Sequence, residues 1–205
     1  MQIIETFYQL LANKLTVAEF EAWVYNTPEL ETEVSEDDYL ALLTLNYKTP
    51  SAAYELQKLL APYISQVEVE RRMLLEILET VANGGAPDKV LTALIDTWHW
   101  YLNDHKFLNE LACNYGLMAD DDFGWDPENR WKNMSDGQKR SYLASFYPGA
   151  QILANELIKA LNIGTIQLHQ NPVNGEVTYT DSRSKDKEQE APDKVLANPW
   201  WQFWK

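Results

Sequence analysis

The side chains of this chain that could do acid–base, nucleophilic or metal chemistry are three histidines, one cysteine and 31 carboxylates. An imidazole moves protons or holds zinc only with partners at fixed spacing, and His99, His105 and His169 are scattered singly. His99 lies in Trp98-His99-Trp100-Tyr101, four residues past Ile95, and reads as a helix-surface or hydrogen-bonded core residue. A reactive thiolate needs neighbouring bases or a helix N-terminus. Cys113 instead shares an apolar run with Leu108, Leu111 and Leu117, with Asp104, Glu110 and Asp120 around it, so a buried, inert thiol is expected. Asp120-Asp121-Asp122 could suggest a divalent cation, but alternating ligands with glycine at the sixth position, as a calcium loop requires, do not occur, and a solvated acidic loop is the expectation. GxGxxG, the P-loop, HExxH, CxxC and GxSxG are absent. With so many carboxylates any acid–base pair could be invented, so none is assigned. The expectation is no catalytic residue, no metal ligand and no cofactor.

The carboxylates are informative as a surface. Between Lys14 and Lys48 lie 33 residues with no basic side chain and eight acids: Glu19, Glu21, Glu29, Glu31, Glu33, Glu36, Asp37 and Asp38. Phe20, Trp23, Tyr25, Tyr39 and Tyr47 punctuate the stretch. Solvated helix faces ordinarily mix both signs in i,i+4 pairs, and this one does not. Residues 1–126 hold 22 acids against 7 bases, whereas 127–205 hold 9 against 10, so the net charge of −14 sits in the first three-fifths of the chain. Such a block suits a positively charged partner. Local dipole complementation at helix N-termini explains some of the acids, though not all of Glu29, Glu31, Glu33, Glu36, Asp37 and Asp38. Tyr25 and Tyr39 join them as candidate contacts, because tyrosine serves interfaces with an apolar body and a polar tip. Phe20, Trp23 and Val24 share an inward helix face, so the aromatics here are partly core. Asp120, Asp121 and Asp122 are a secondary contribution.

These residues need helices to hold them. Ile3, Ile4, Phe7, Leu10 and Leu11 recur at helical spacing. Thr16 and Glu19 form a capping box ahead of a second helix. Thr27-Pro28 opens one short turn over Glu29–Glu33, Ser35 with Asp38 caps the helix carrying Tyr39, Leu40, Leu42 and Leu43, and Thr49-Pro50 starts the next. A longer helix over about 66–82 ends at Asn83-Gly84-Gly85, and Ala86-Pro87-Asp88 restarts the chain. A further helix runs from about Asp104 to Tyr115 and stops at Gly116. Residues 118–135 read as irregular, Ser135 and Gln138 as a capping box, and Pro148 as the start of a helix to Leu161. After Gly164 the period changes to two, and Thr165–Leu168 with Glu176–Tyr179 read as a β-hairpin. A lone hairpin is marginal in water, so it must pack on the helices or on another chain.

The resulting expectation is a mainly α fold: a bundle-like helical domain over 1–163, a hairpin over 164–180, a flexible polar linker over 181–198 and a Trp-rich tail over 199–205. Trp200, Trp201, Phe203 and Trp204 would each gain about 1.5–3 kcal/mol on burial, so the tail is expected to dock, on its own domain, on a second copy or on a partner. A single cysteine excludes an internal disulfide framework. No basic leader precedes the first amphipathic pattern, and no apolar run reaches the ~20 residues that span a bilayer, so a soluble, cytoplasmic protein is expected. The acidity argues against nucleic acid and anionic membranes, which need Lys and Arg to displace counterions.

Two strings carry a family resemblance. Phe20-Glu21-x-Trp23-Val24-Tyr25-Asn26-x-x-Glu29-Leu30-Glu31 is followed by Asp38-Tyr39-Leu40-Ala41-Leu42-Leu43-x-Leu45-Asn46-Tyr47. Asn114-Tyr115-Gly116-Leu117, Ser145-Phe146-Tyr147-Pro148 and the Trp-rich end come later. Together, in patches over about half of the chain, they resemble small acidic bacterial immunity proteins of polymorphic and contact-dependent toxin systems. The resemblance implies a non-catalytic inhibitor that binds the catalytic domain of a cognate toxin. Two other classes stay open: an adaptor or chaperone working through its Trp-rich tail, and an enzyme with an acidic cleft.

Overall fold

Side-chain caps fix where the helices begin. Thr16 accepts from the Glu19 backbone N–H while the Glu19 carboxylate accepts from the Thr16 N–H at 2.8 Å, closing the expected capping box at the start of α2 (Val17–Tyr25). Ser35 caps α4 (Glu36–Thr44), Ser65 caps α6 (Gln66–Asn83), and Ser135 with Gln138 forms a second box at α11 (Asp136–Ala144). Each cap satisfies a backbone donor that the first helical turn leaves without a partner. The chain, described here by a computed structural model over residues 2–171 and 175–183, adds α1 (Gln2–Leu11), α3 (Leu30–Glu33), α5 (Ala52–Leu60) and α7 (Pro87–Leu102) to these. The second half adds α8 (Asn109–Leu111), α9 (Leu117–Phe123), α10 (Arg130–Asn133) and α12 (Gly149–Ile163). Trp200, Trp201, Phe203 and Trp204, with the linker beyond Arg183, lie outside the described residues.

The apolar stripes gather into two clusters. Phe7, Tyr8, Phe20, Val24, Leu30, Leu42, Leu56, Leu60 and Val69 form one, drawn from α1 to the start of α6. Leu74, Leu78, Val81, Leu94, Leu111, Ala154, Leu157 and Ile166 belong to the other. The long α6 belongs to both, with Val69 in the first and Leu74, Leu78 and Val81 in the second. Gly84 and Gly85, at φ +68° and +128°, make the tight link that folds α7 back along α6. A hairpin follows, β1 (Ile166–Gln170) antiparallel to β2 (Val177–Asp181), with Leu168 opposite Tyr179. It packs on the helices: Ile166 is in the second cluster, and the Tyr179 ring meets Phe107 edge-on at 4.9 Å.

Several expectations need correcting. The helix expected to stop at Gly116 does not stop there. A 3-10 turn (Lys106–Leu108), α8, a π turn (Ala112–Gly116) and α9 run on to Phe123. Gly116 is a close-packing residue instead: a Cβ there would lie 2.8 Å from the Leu94 carbonyl oxygen of α7. Residues 118–135, expected to be irregular, contain α9 and α10. Pro50 precedes the α5 start by a turn, with Ser51 at the cap position. Cys113 is only partly buried, its thiol donating to Asn109 Oδ1 at 3.3 Å. The expected linker begins too early, because β2 includes Asp181 and the Arg183 guanidinium donates to the Phe107 carbonyl at 3.1 Å.

Candidate functional site

Helices α2, α3 and α4 turn Phe20, Val24, Leu30, Val34 and Leu42 into the first cluster, and what remains faces outward. Outward lie Glu29, Glu31, Glu33, Glu36 and Asp37, all exposed. None of their carboxylates accepts a hydrogen bond from, or forms an ion pair with, a described residue. Elsewhere several carboxylates find cations: Glu5 and Glu68 meet Arg72, Glu76 meets Lys14, Asp88 meets Lys139 and Asp126 meets Arg130, while others, such as Glu55, Glu79, Glu110 and Glu156, stand singly without one among the described residues. What sets the block apart is density: these unpaired acids fall together within positions 29–37, where the sequence lacks bases. Glu36 and Asp37 are in the first turn of α4, where the helix dipole favours negative charge. Glu31 and Glu33 also fall in the first turn of α3, but that helix is only four residues long and its dipole lends them little support.

Apolar surface lies among them. Tyr25 is 55% exposed while its hydroxyl donates to the Leu43 carbonyl at 3.2 Å, which fixes the ring against α4. Leu40 is 51% exposed. It shares α4 with Leu42 but lies about 200° from it at 100° per residue, and Leu42 is the one that goes inward. Tyr39 is half-buried against the first cluster. Tyr47 belongs to the core: its hydroxyl donates to the Leu42 carbonyl at 2.8 Å. Burial, with the charges of Tyr25 and Glu21 nearby, raises its pKa.

Asp38 departs from the other five. Its carboxylate accepts from the Ser35 hydroxyl and the Tyr63 hydroxyl, both at 2.6 Å, and the Ser35 N–H donates to the same Tyr63 oxygen at 2.8 Å. These bonds hold its carboxyl below the usual range, Ser35 contributing most. Asp38 thus anchors the α4 start and is less free to meet a partner. A depressed carboxylate pKa stabilises the fold above the ordinary value, and that contribution is lost as pH falls through the folded value. Asp38→Asn is accordingly expected to be less stable than the parent at pH 7. The gap should begin to close only below about pH 3.9, as read from urea unfolding at a series of pH values.

Asp120, Asp121 and Asp122 are not in a loop. They sit on α9, which packs on α7 in the second half of the fold, and not on α2–α4. Asp120 faces His99 Nε2 at 3.3 Å and Asp122 accepts from the Tyr142 hydroxyl at 2.7 Å; Asp121 and Asp122 are both exposed. Two of the three α9 acids thus have structural partners, and they lie on a different element from the α2–α4 acids. Among the described residues no group of three His, Cys, Asp or Glu side chains is placed to hold a metal ion, and no described helix is long and apolar enough to cross a membrane. Sequence reasoning missed Leu40, whose angular offset was readable, and Trp125, 83% exposed after α9, for which no periodic signal exists. Comparison of the chain with protein-family models, curated proteins and solved structures finds no match in any of the three.

Proposed function

We propose that this chain is an immunity-type inhibitor, binding the catalytic domain of a cognate bacterial toxin through the α2–α4 surface and doing no catalysis of its own. The observation that carries the reading is the set of five unpaired, exposed carboxylates flanking Tyr25 and Leu40. Toxin domains that act on nucleic acids or nucleotides carry basic clefts, and an acidic surface is steered to such a cleft by long-range attraction. Tyr25 and Leu40 supply the apolar contact that electrostatics alone lacks, since charged rims set rate and register while buried anchors hold affinity.

The test starts from the neighbouring gene. A toxin domain encoded at the C-terminus of a large secreted protein immediately upstream should form a stoichiometric complex with this chain and lose its activity in it. Truncation after Asn198 should preserve that binding. Binding that vanishes with the tail would favour an adaptor, and a complex whose toxin stays active would end the inhibitor reading.

A further inference from the structure

Helices α6 and α7 run side by side, and on one side of the pair they leave an open groove of ≈ 530 Å³. That is within the range of about 300–1,000 Å³ typical of small-molecule sites. Its floor is apolar, with Met73 and Ile77 from α6 and Ala93 from α7. Most charges along its walls are already satisfied. Lys14, from the α1–α2 connection, pairs with Glu76 and donates to the Tyr8 hydroxyl at 3.1 Å. Asp88 accepts from Lys139 Nζ at 2.8 Å and from Trp131 Nε1 at 2.7 Å.

Asp96 is different. It lines the groove half-buried, and no described residue donates a hydrogen bond to its carboxylate. Burial raises its carboxyl pKa, opposed by the nearby His99. A carboxylate taken partly out of water without a donor is costly unless a cation arrives to meet it. Lys89 stands seven residues earlier on the same helix face, about 10.5 Å along the axis. Its ammonium likewise has no partner among the described residues.

We propose that this groove binds a small aliphatic primary amine, its ammonium against Asp96 and its chain over Met73, Ile77 and Ala93. Lys89 at the other end selects against a second positive charge, so a monoamine is preferred to a diamine. This site is independent of the α2–α4 surface, and neither proposal needs the other.

The probe is n-hexylamine, titrated into the full chain at neutral pH while the Met73 methyl resonance is followed by NMR. Saturable movement of that resonance is expected. Binding at least tenfold weaker is expected for the neutral analogue hexan-1-ol, for 1,6-diaminohexane, and for n-hexylamine with Asp96→Asn. Because the Asp96 carboxylate accepts no described hydrogen bond and its partial burial disfavours the charge, that variant should keep or slightly raise the parental melting temperature. Lys89→Glu gives a second reading that does not depend on Asp96: it should tighten diaminohexane binding relative to the parent. The proposal is overturned if hexanol binds as well as hexylamine, if Asp96→Asn binds unchanged, if Lys89→Glu leaves the diamine unchanged, or if hexylamine gives no saturable shift.

Discussion

Gly116→Ala is expected to lower stability by about 1–3 kcal/mol, the usual cost of adding a methylene-sized group to a close-packed contact. The added Cβ would meet Thr97 Oγ1 at 2.6 Å, the Leu94 carbonyl oxygen at 2.8 Å and the Trp98 nitrogen at 3.1 Å. Rotating Thr97 removes one of these clashes, at the expense of its own 2.6 Å hydrogen bond to Leu94. The other two are backbone, so α7 and the π turn must separate. At about 2–4 °C per kcal/mol for a chain of this size, the melting temperature should fall by several degrees. Gly137→Ala is the control: at this exposed position near the start of α11 the nearest atom to an added Cβ is 4.0 Å away, and replacing a helical glycine should leave stability unchanged or raise it by up to about 1 kcal/mol. Opposite signs for two Gly→Ala changes would be hard to obtain from composition or propensity alone.

Reversing Glu31, Glu33, Glu36 and Asp37 to lysine should have its largest effect on the rate of partner association. Steering by a focused field raises on-rates by about 10–10³-fold, and the quadruple variant should lose much of that and show a flatter salt dependence. Stability should move little, because none of the four holds a described contact. The exception is the first turn of α4, where lysine opposes the helix dipole at Glu36 and Asp37. Pairing E31K/E33K with E36Q/D37N removes that complication while keeping most of the charge change. An on-rate unchanged across a salt series from about 50 to 500 mM, well below and above the regime where the Debye length is ≈ 10 Å, would mean that the acids are ordinary solvation.

The helical content was legible because capping chemistry and apolar spacing agreed. Thr16 with Glu19, Ser35 with Asp38, and Ser135 with Gln138 cap their helices as expected. The reading failed where glycine served packing between helices. Gly116 lies inside a helical run because it allows α7 to approach, and no local pattern distinguishes that role from a C-terminal stop. Likewise Asp120-Asp121-Asp122 suggested a loop by composition, whereas the contacts of α9 with α7 override local preference. For the candidate surface, the lack of ion-pair partners for Glu29, Glu31, Glu33, Glu36 and Asp37 was legible in a stretch that holds no base. That Asp38 is held by Tyr63, 25 residues away, and that Tyr47 points inward are tertiary facts. The α6–α7 groove was unreadable for the same reason, since its walls come from residues 14, 73–80 and 88–96.

Hydrogen–deuterium exchange of the complex with the neighbouring toxin domain tests the central claim most directly. Backbone amides of Val17–Thr44 should slow on binding, with the strongest protection around Tyr25 and across Glu29–Leu40. Protection confined to residues beyond Asn83, with α2–α4 exchanging as in the free chain, would contradict it.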